Sequence, residues 1–542
     1  MNPLGSRISR LEDSFSFGVR NSFYRISEMG SGFHYPNFSS DYRKSTENLE
    51  YTRATGATYR GRDGKLKGFA ISSSTVTYGT GSKTWTVAAG SNVDMEFVAG
   101  ENIAATGQTN QFVMTGTVTS YNPTTQQLVC TISSLTGTAG LSDSVWKLIK
   151  TSNPRIQCDS SGTPLGLLIE PQRTNLCDGD TLSAVIAVNV NSTASLETNT
   201  PLGSNATGYV RNVEVQATNA LHALRVFTNS YSAGTKDISF SIFAKKGTGR
   251  YLGLSLHGST TIGAACIFDL EDGTVGQQYT TAGGTINSTK VESWGNGWYR
   301  IVMNARLVFS STTSPLGRVF TAPAKTGNTF STANSCVSYL GALETFKTAL
   351  FQVEDGAYET TIIVGSTWAV GLTRSPDTAR YEGSKFTDWY LSNGTGKGTF
   401  VVDFQPLASA TAIGFIAGTD SGDGINVSTN LFANLGYIYV SDAPGDSSAT
   451  ATMNAGMNSA GFVTIDINDP ASNMFALNGT VIDSGYSLDG MPSEAAVFTL
   501  GSLYQTDSGT YIDHYPVIIR SMKWFDRVLS SYELRYYTGM RG

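Results

Sequence analysis

The 542-residue sequence is short of charge: Lys, Arg, Asp and Glu together make up 15% of it, against roughly 25% in an ordinary soluble domain. Its 37 basic and 43 acidic residues leave a formal charge of -6, so the basic excess of a nucleic-acid binder is missing. No apolar run approaches the roughly 18 residues of a membrane-crossing helix. The opening MNPLGSRISRLEDSFSFGVR has no apolar core of a secretory signal. Cysteine is sparse and odd in number. Cys130, Cys158, Cys177, Cys266 and Cys336 form no CxxC pair, which points to free thiols made in a reducing cytoplasm and away from a disulfide framework or zinc site. Four histidines, His34, His222, His257 and His514, are spread along the chain without an H-E-x-x-H signature, and no G-x-S-x-G elbow occurs. GTGSKT at 79–84 lacks the glycine before lysine of a phosphate loop and lies among strand signals, so it reads as a turn.

What remains is rich in Gly (58), Tyr (25) and Phe (26), with 40% hydrophobic residues. That composition supports packed cores and suits pleated sheets and tight turns better than helices. At roughly 150 residues per domain the length predicts three or four modules. In 127–133 Leu128, Cys130 and Ile132 alternate with polar residues, and FVMTGTVTSY precedes them across an NPTTQ turn, which predicts a hairpin. Ile238, Phe240 and Ile242 alternate likewise. YLGLSLHG, AACIFDL and WYRIVMNA follow as further strands between KKGTGR, EDGTVG and WGNG turns. Two helices are expected. One runs through Ile8, Leu11, Phe15 and Val19; the other is opened by a capping box of Ser530 and Glu533.

Two segments carry a resemblance. NPRIQCDSSGTPLGLLIEPQRTNL at 153–176, with YTRATGATYRGRDGKLKGFA at 51–70, resembles a signature of tailed-bacteriophage tail-fibre and virion-surface proteins that leads into a carbohydrate-binding-like jelly roll. FSIFAKKGTGRYLGLSLHG, CIFDLEDGTVG and ESWGNGWYRIVM resemble that jelly roll. GTFVVDFQPL, FALNGTVID and HYPVIIRSMKWFDRVLSSYELRYY are similar to a laminin-G/concanavalin-like lectin sandwich. The implied organisation is all-β and multidomain. It comprises an attachment region (1–50), a split lead-in (51–72 and 151–178), an inserted small β module (73–150) whose ends should lie close together, a jelly roll (179–378), a linker (379–397) and the terminal sandwich (398–542). The resemblance further implies a structural fibre, spike or decoration subunit on the particle, a homotrimer made in the bacterial cytoplasm. Residues 1–50 would hold other virion proteins, and the sandwiches would bind host-surface glycans. A head or tail component whose sandwiches contact only proteins, or a polysaccharide-degrading tailspike, are the rival expectations. The parallel β-helix repeat of the common glycan-cleaving spikes is missing.

No catalytic group, metal ligand set or cofactor is singled out, and no enzyme is expected. Glu170 and Arg173 read as an ion pair bracing the approach to the jelly roll. In WGNGWYR, Asn296 and Gly297 read as a turn while Trp298 and Arg300 brace strands. The best glycan-binding candidates are Asp420, Asp423 and Asn426, whose oxygens cluster in a glycine-containing loop that also suits calcium. Tyr504, Tyr511 and Tyr515 beside His514 are the other candidates, as a binding edge.

Overall fold

The computed structural model describes residues 49–539 apart from 54–57, 62–65, 88–96, 152–153, 178–187, 198–209, 228–229, 364–371, 391–397, 408–413, 420–423, 431–434, 442–446, 453–457, 465–473, 485–496, 506–509, 513–514 and 526. The helix expected through Ile8, Leu11, Phe15 and Val19 lies outside these residues. The described chain is all-β. Among the described residues the helices are Ser384–Tyr390 and Ser531–Gly539. Two compact units form, one from residues 52–163 and 171–377, the other chiefly from 164–170 and the chain from 378 onward.

In the first unit, residues 69–151 make a small barrel. Its strands pair in the order Phe69–Ser72, Trp146–Thr151, Asn102–Gly107, Val113–Asn122, Gln127–Thr136 and Gly81–Thr86. A bridge between Ser72 and Val87 brings the last edge back to the first, and the Ser72 hydroxyl donates to the Thr86 carbonyl at 2.7 Å. Closure leaves few unpaired edges. Trp85, Trp146, Met114, Leu128, Cys130 and Leu148 fill the interior, all fully buried. Trp146 is the register partner of Ser72, so the two ends of the insertion lie side by side. The 113–122 and 127–136 strands pair as a hairpin. Its turn is held by the Asn122 carboxamide oxygen, which accepts from the N–H groups of Thr124 and Thr125. GTGSKT runs into the strand Gly81–Thr86, paired with 127–132.

The remainder of this unit is a sandwich of two six-stranded antiparallel sheets. One is ordered Val188–Val190, Ala223–Phe227, Leu316–Ala322, Tyr251–Ser259, Ile262–Asp269 and Thr274–Thr280. The other is ordered Ser192–Glu197, Val210–Val215, Thr345–Asp355, Gly234–Lys246, Trp298–Phe309 and Gly284–Ser293. The period-two alternation sends Leu224, Val226, Ile238, Phe240, Ile242, Leu252, Leu254, Cys266, Ile301, Met303 and Val353 into the shared core. At one end Phe69 and Ile149 of the barrel join Phe243, Trp298 and Leu350 of the sandwich in one buried cluster. The insertion is therefore packed down on its host.

The second unit is also built on two sheets. Pro164–Ile169, Val517–Phe525, Gly398–Pro406, Asn458–Thr464, Met474–Leu477 and Thr480–Ser484 pair in that order in one. Thr378–Glu382, Val497–Leu500, Gly414–Thr419, Gly424–Asn430, Leu435–Ser441 and Ser447–Thr452 do so in the other. Phe400 of the first meets Phe498 of the second edge-on at 5.0 Å. Two expectations change here. The GLLIE strand, read as part of the jelly roll's lead-in, pairs with Val517–Ile519. Leu167, Leu168 and Ile169 are all essentially buried, as a continuous apolar run requires both faces covered. The stretch expected as a linker carries the strand Thr378–Glu382 and the helix Ser384–Tyr390. At the C-terminal helix the capping box forms: the Ser530 N–H donates to Glu533 at 2.9 Å, and the Glu533 N–H returns to Ser530 Oγ at 3.3 Å.

Candidate functional site

The residues that make the sequence most recognisable converge on a buried knot. Asp377, with no exposed surface, accepts from Arg53 Nη1 at 3.1 Å and from Arg155 Nη2. Arg155 Nη1 also donates to the Thr58 carbonyl at 2.8 Å and to Thr361 Oγ1 at 2.9 Å. Arg374, fully buried, reaches Thr361 Oγ1 and the Pro171 carbonyl. Segments hundreds of residues apart are thereby tied together, and the carboxylate and carbonyls offset the cost of burying guanidinium groups. Arg173 lies over the Tyr358 ring, 4.6 Å from its centroid, and Glu170 is buried. In WGNGWYR, Gly295, Asn296 and Gly297 all adopt positive φ in a tight turn. Trp298 is buried, and Arg300 Nη2 donates to Ser241 Oγ and to the Thr360 carbonyl, bracing neighbouring strands.

The binding residues expected from sequence are not assembled into one place. Asp420, Asp423 and His514 lie outside the described residues. Asn426 stands in the strand Gly424–Asn430, opposite Gly418 and Tyr439. Tyr504 and Tyr511 are register partners in the hairpin Leu503–Gln505/Thr510–Ile512. Tyr515 departs from the expected exposed edge: it is 3% exposed, and its N–H is bound to the Gly501 carbonyl at 2.8 Å. Among the described residues no group of three or more His, Cys, Asp or Glu is placed to hold a metal. The five cysteines are buried and unpaired with one another. Burial pushes the Cys130, Cys266 and Cys336 thiols up to about 12, so they are inert as nucleophiles. His222 is fully buried, its ring nitrogens facing the Asn191, Thr218 and Tyr339 carbonyls at 2.7, 3.1 and 3.2 Å.

A different arginine pair lies on the outer face of the sandwich's first sheet, much of which packs against the small sheet of Asn219–Leu221, Cys336–Leu340 and Phe330–Ser331. The alternation that sends Leu224 and Val226 inward turns Arg225 outward, and inward Val319 turns Arg318 outward. The two strands pair so that Arg225 stands directly opposite Arg318. Arg318 in turn faces Ser255, and the row continues through Ala265 to Tyr279. Two like charges directly opposite each other on neighbouring strands repel. No carboxylate on this row offsets them. Arg318 is 7% exposed, and among the described residues its Nη1 donates to the Asn334 carbonyl alone, at 3.2 Å. Arg225 is half-buried, and among the described residues no hydrogen bond or ion pair reaches its guanidinium. Among the described residues no hydrogen bond is made by the buried Nε atom of either, nor by those of Arg155, Arg300 and Arg374. Burial lowers the Arg318 pKa, and Arg225 pushes it the same way. Burial, with Arg318 adding, also lowers that of His257, which contacts Ser335 Oγ at 3.2 Å. Ser255 Oγ donates to the same Asn334 carbonyl at 3.2 Å. Ser255, Ala265 and Arg318 are buried, so Arg225 is the end of the charged pair that solvent reaches.

Sequence reading passed over these residues. The available signal was an arginine set twice in an apolar strand, in ALRVF at 223–227 and LGRVF at 316–320. Their juxtaposition depends on a register between strands some ninety residues apart, which no local pattern discloses.

No family model matches the chain, and no curated protein does. Among solved structures it is similar to the carbohydrate-binding module CBM40 of the Ruminococcus gnavus IT-sialidase. That likeness has 16% identity and a TM-score of 0.26, covering 30% of this chain and 92% of that one. It is similar to the leech intramolecular trans-sialidase at 14% identity and TM-score 0.24, over 30% of this chain and 26% of that one. Mouse laminin alpha1 domains LG4-5 share 9% identity at TM-score 0.17, over 58% of this chain and 90% of theirs. At such identities and TM-scores these likenesses lend no weight to a particular activity or ligand.

Proposed function

We propose that this chain is a virion-surface protein of a tailed bacteriophage, a fibre, spike or decoration subunit, whose first-unit sandwich binds host-surface glycans during adsorption. The observation that carries the binding reading is half-buried Arg225, opposed by Arg318 and, among the described residues, without a hydrogen bond or counter-charge for its guanidinium donors on a rigid sheet. Polar groups of a saccharide match such donors, and single sugar sites are weak enough to depend on many copies acting together. The virion reading rests on the resemblance of the signature segments; their arginines are committed to the Asp377 knot, which leaves recognition to other parts of the chain. The terminal sandwich, whose strands carry Asn426, Tyr504 and Tyr511, would be a second glycan-binding module. Homotrimeric assembly would supply the multivalency.

Two measurements test this reading. Antibodies against the chain should label purified particles, and excess soluble chain should slow adsorption to host cells. Particles without label, or adsorption unchanged at saturating chain, would contradict it.

A further inference from the structure

Resting on that reading, we infer that the glycan bound at the sandwich face carries an anionic group, held by Arg225 with Arg318 supplying field behind it. The positive charge on this face is unbalanced among the described residues. Two guanidiniums opposed across adjacent strands cost stability through repulsion, and partial burial of Arg318 adds a desolvation cost. Elsewhere in the same unit several arginines sit against a carboxylate, Arg53 and Arg155 against Asp377, Arg250 against Asp269 and Arg306 against Asp237, while Arg300 and Arg374 each have two hydroxyl or carbonyl acceptors. Among the described residues no carboxylate pairs with Arg225 or Arg318, and no hydrogen bond reaches the Arg225 guanidinium. A carboxylate, phosphate or sulfate seated there neutralises the pair and accepts from the terminal nitrogens of Arg225. A neutral sugar would leave the repulsion in place. Arg225 is the contacting residue, because it retains accessible surface. Arg318, 7% exposed and tethered to Asn334, is a positioning residue.

The test uses the intact chain in a binding titration against four probes: an oligouronate, a sulfated oligosaccharide, a glycerol-phosphate polymer and a neutral glucan. At least one acidic probe should bind, weakening with added salt as a screened contact does. Arg225→Gln should weaken it at least about tenfold, the loss of one charge-assisted bond. Arg225→Lys should restore part of the affinity by returning the charge without the fork. Which acidic probe binds tells the carboxylate, sulfate and phosphate sources apart. Binding of the neutral glucan alone would overturn the anionic inference while leaving glycan recognition standing. Acidic binding unchanged by Arg225→Gln, in a variant whose melting matches the parent, would overturn the site. Binding of no probe, nor of whole host polysaccharide, would overturn both.

Discussion

Two groups of arginines in the same unit are treated in opposite ways. In the knot, Arg53 and Arg155 close on one buried carboxylate, and Arg374 on a hydroxyl and a carbonyl. On the sandwich face, Arg225 and Arg318 oppose each other across a strand pair, and among the described residues one carbonyl, that of Asn334, accepts from the two. The difference teaches which charges are structural. A buried arginine with its partners supplied by the chain holds segments together, however conspicuous its motif. An arginine left without a counter-charge on a rigid surface is available to something outside the chain.

The comparison is broken most forcefully at Asp377. Asp377→Asn removes the counter-charge from two buried guanidiniums and should cost about 3–5 kcal/mol, read as a lower denaturation midpoint. A loss under about 1 kcal/mol would mean the knot is not a structural tie. The paired substitutions Arg155→Gln and Arg318→Gln sharpen it next. The first leaves Asp377 with one partner fewer and should lose several kcal/mol. The second removes a buried, uncompensated charge and should change stability by no more than about 1 kcal/mol in either direction. Equal losses in the two variants would erase the distinction drawn here.

The smallest expected effect is one of pH. Burial and Arg318 lower the pKa of His257 in the folded chain, so the folded state binds fewer protons than the unfolded one as pH falls below the ordinary histidine value of about 6.5. Its contribution is therefore complete at neutral pH and diminishes as pH falls through that value toward the lowered one. His257→Gln should flatten the fall in melting temperature between about pH 7 and 5. A parent and variant with parallel pH profiles would mean that burial and Arg318 do not hold His257 neutral.

What the sequence disclosed was local. The 113–122/127–136 hairpin, the Ser530–Glu533 box and the Gly295–Gly297 turn each depend on residues within a few positions, and all three form. The alternation of Ile238, Phe240 and Ile242 likewise fixed which residues fill the sandwich. The knot was hidden because Arg53 and Arg155 meet Asp377 across 324 and 222 positions. Leu167–Ile169 looked like a lead-in because they follow the signature directly, yet the partner that covers them starts at Val517. Tyr515 looked like an edge because tyrosines cluster around it. Burial beside Gly501 shows that aromatic clustering cannot separate a core from a binding surface.

The most direct trial of the account is a structure of the intact chain bound to the acidic oligosaccharide that binds it best. The account predicts the anionic group within hydrogen-bonding reach of Arg225, on the sheet face shared with Arg318 and Ser255. Density for that ligand at the Tyr504–Tyr511 hairpin or beside Asn426, with the Arg225 face empty, would contradict it.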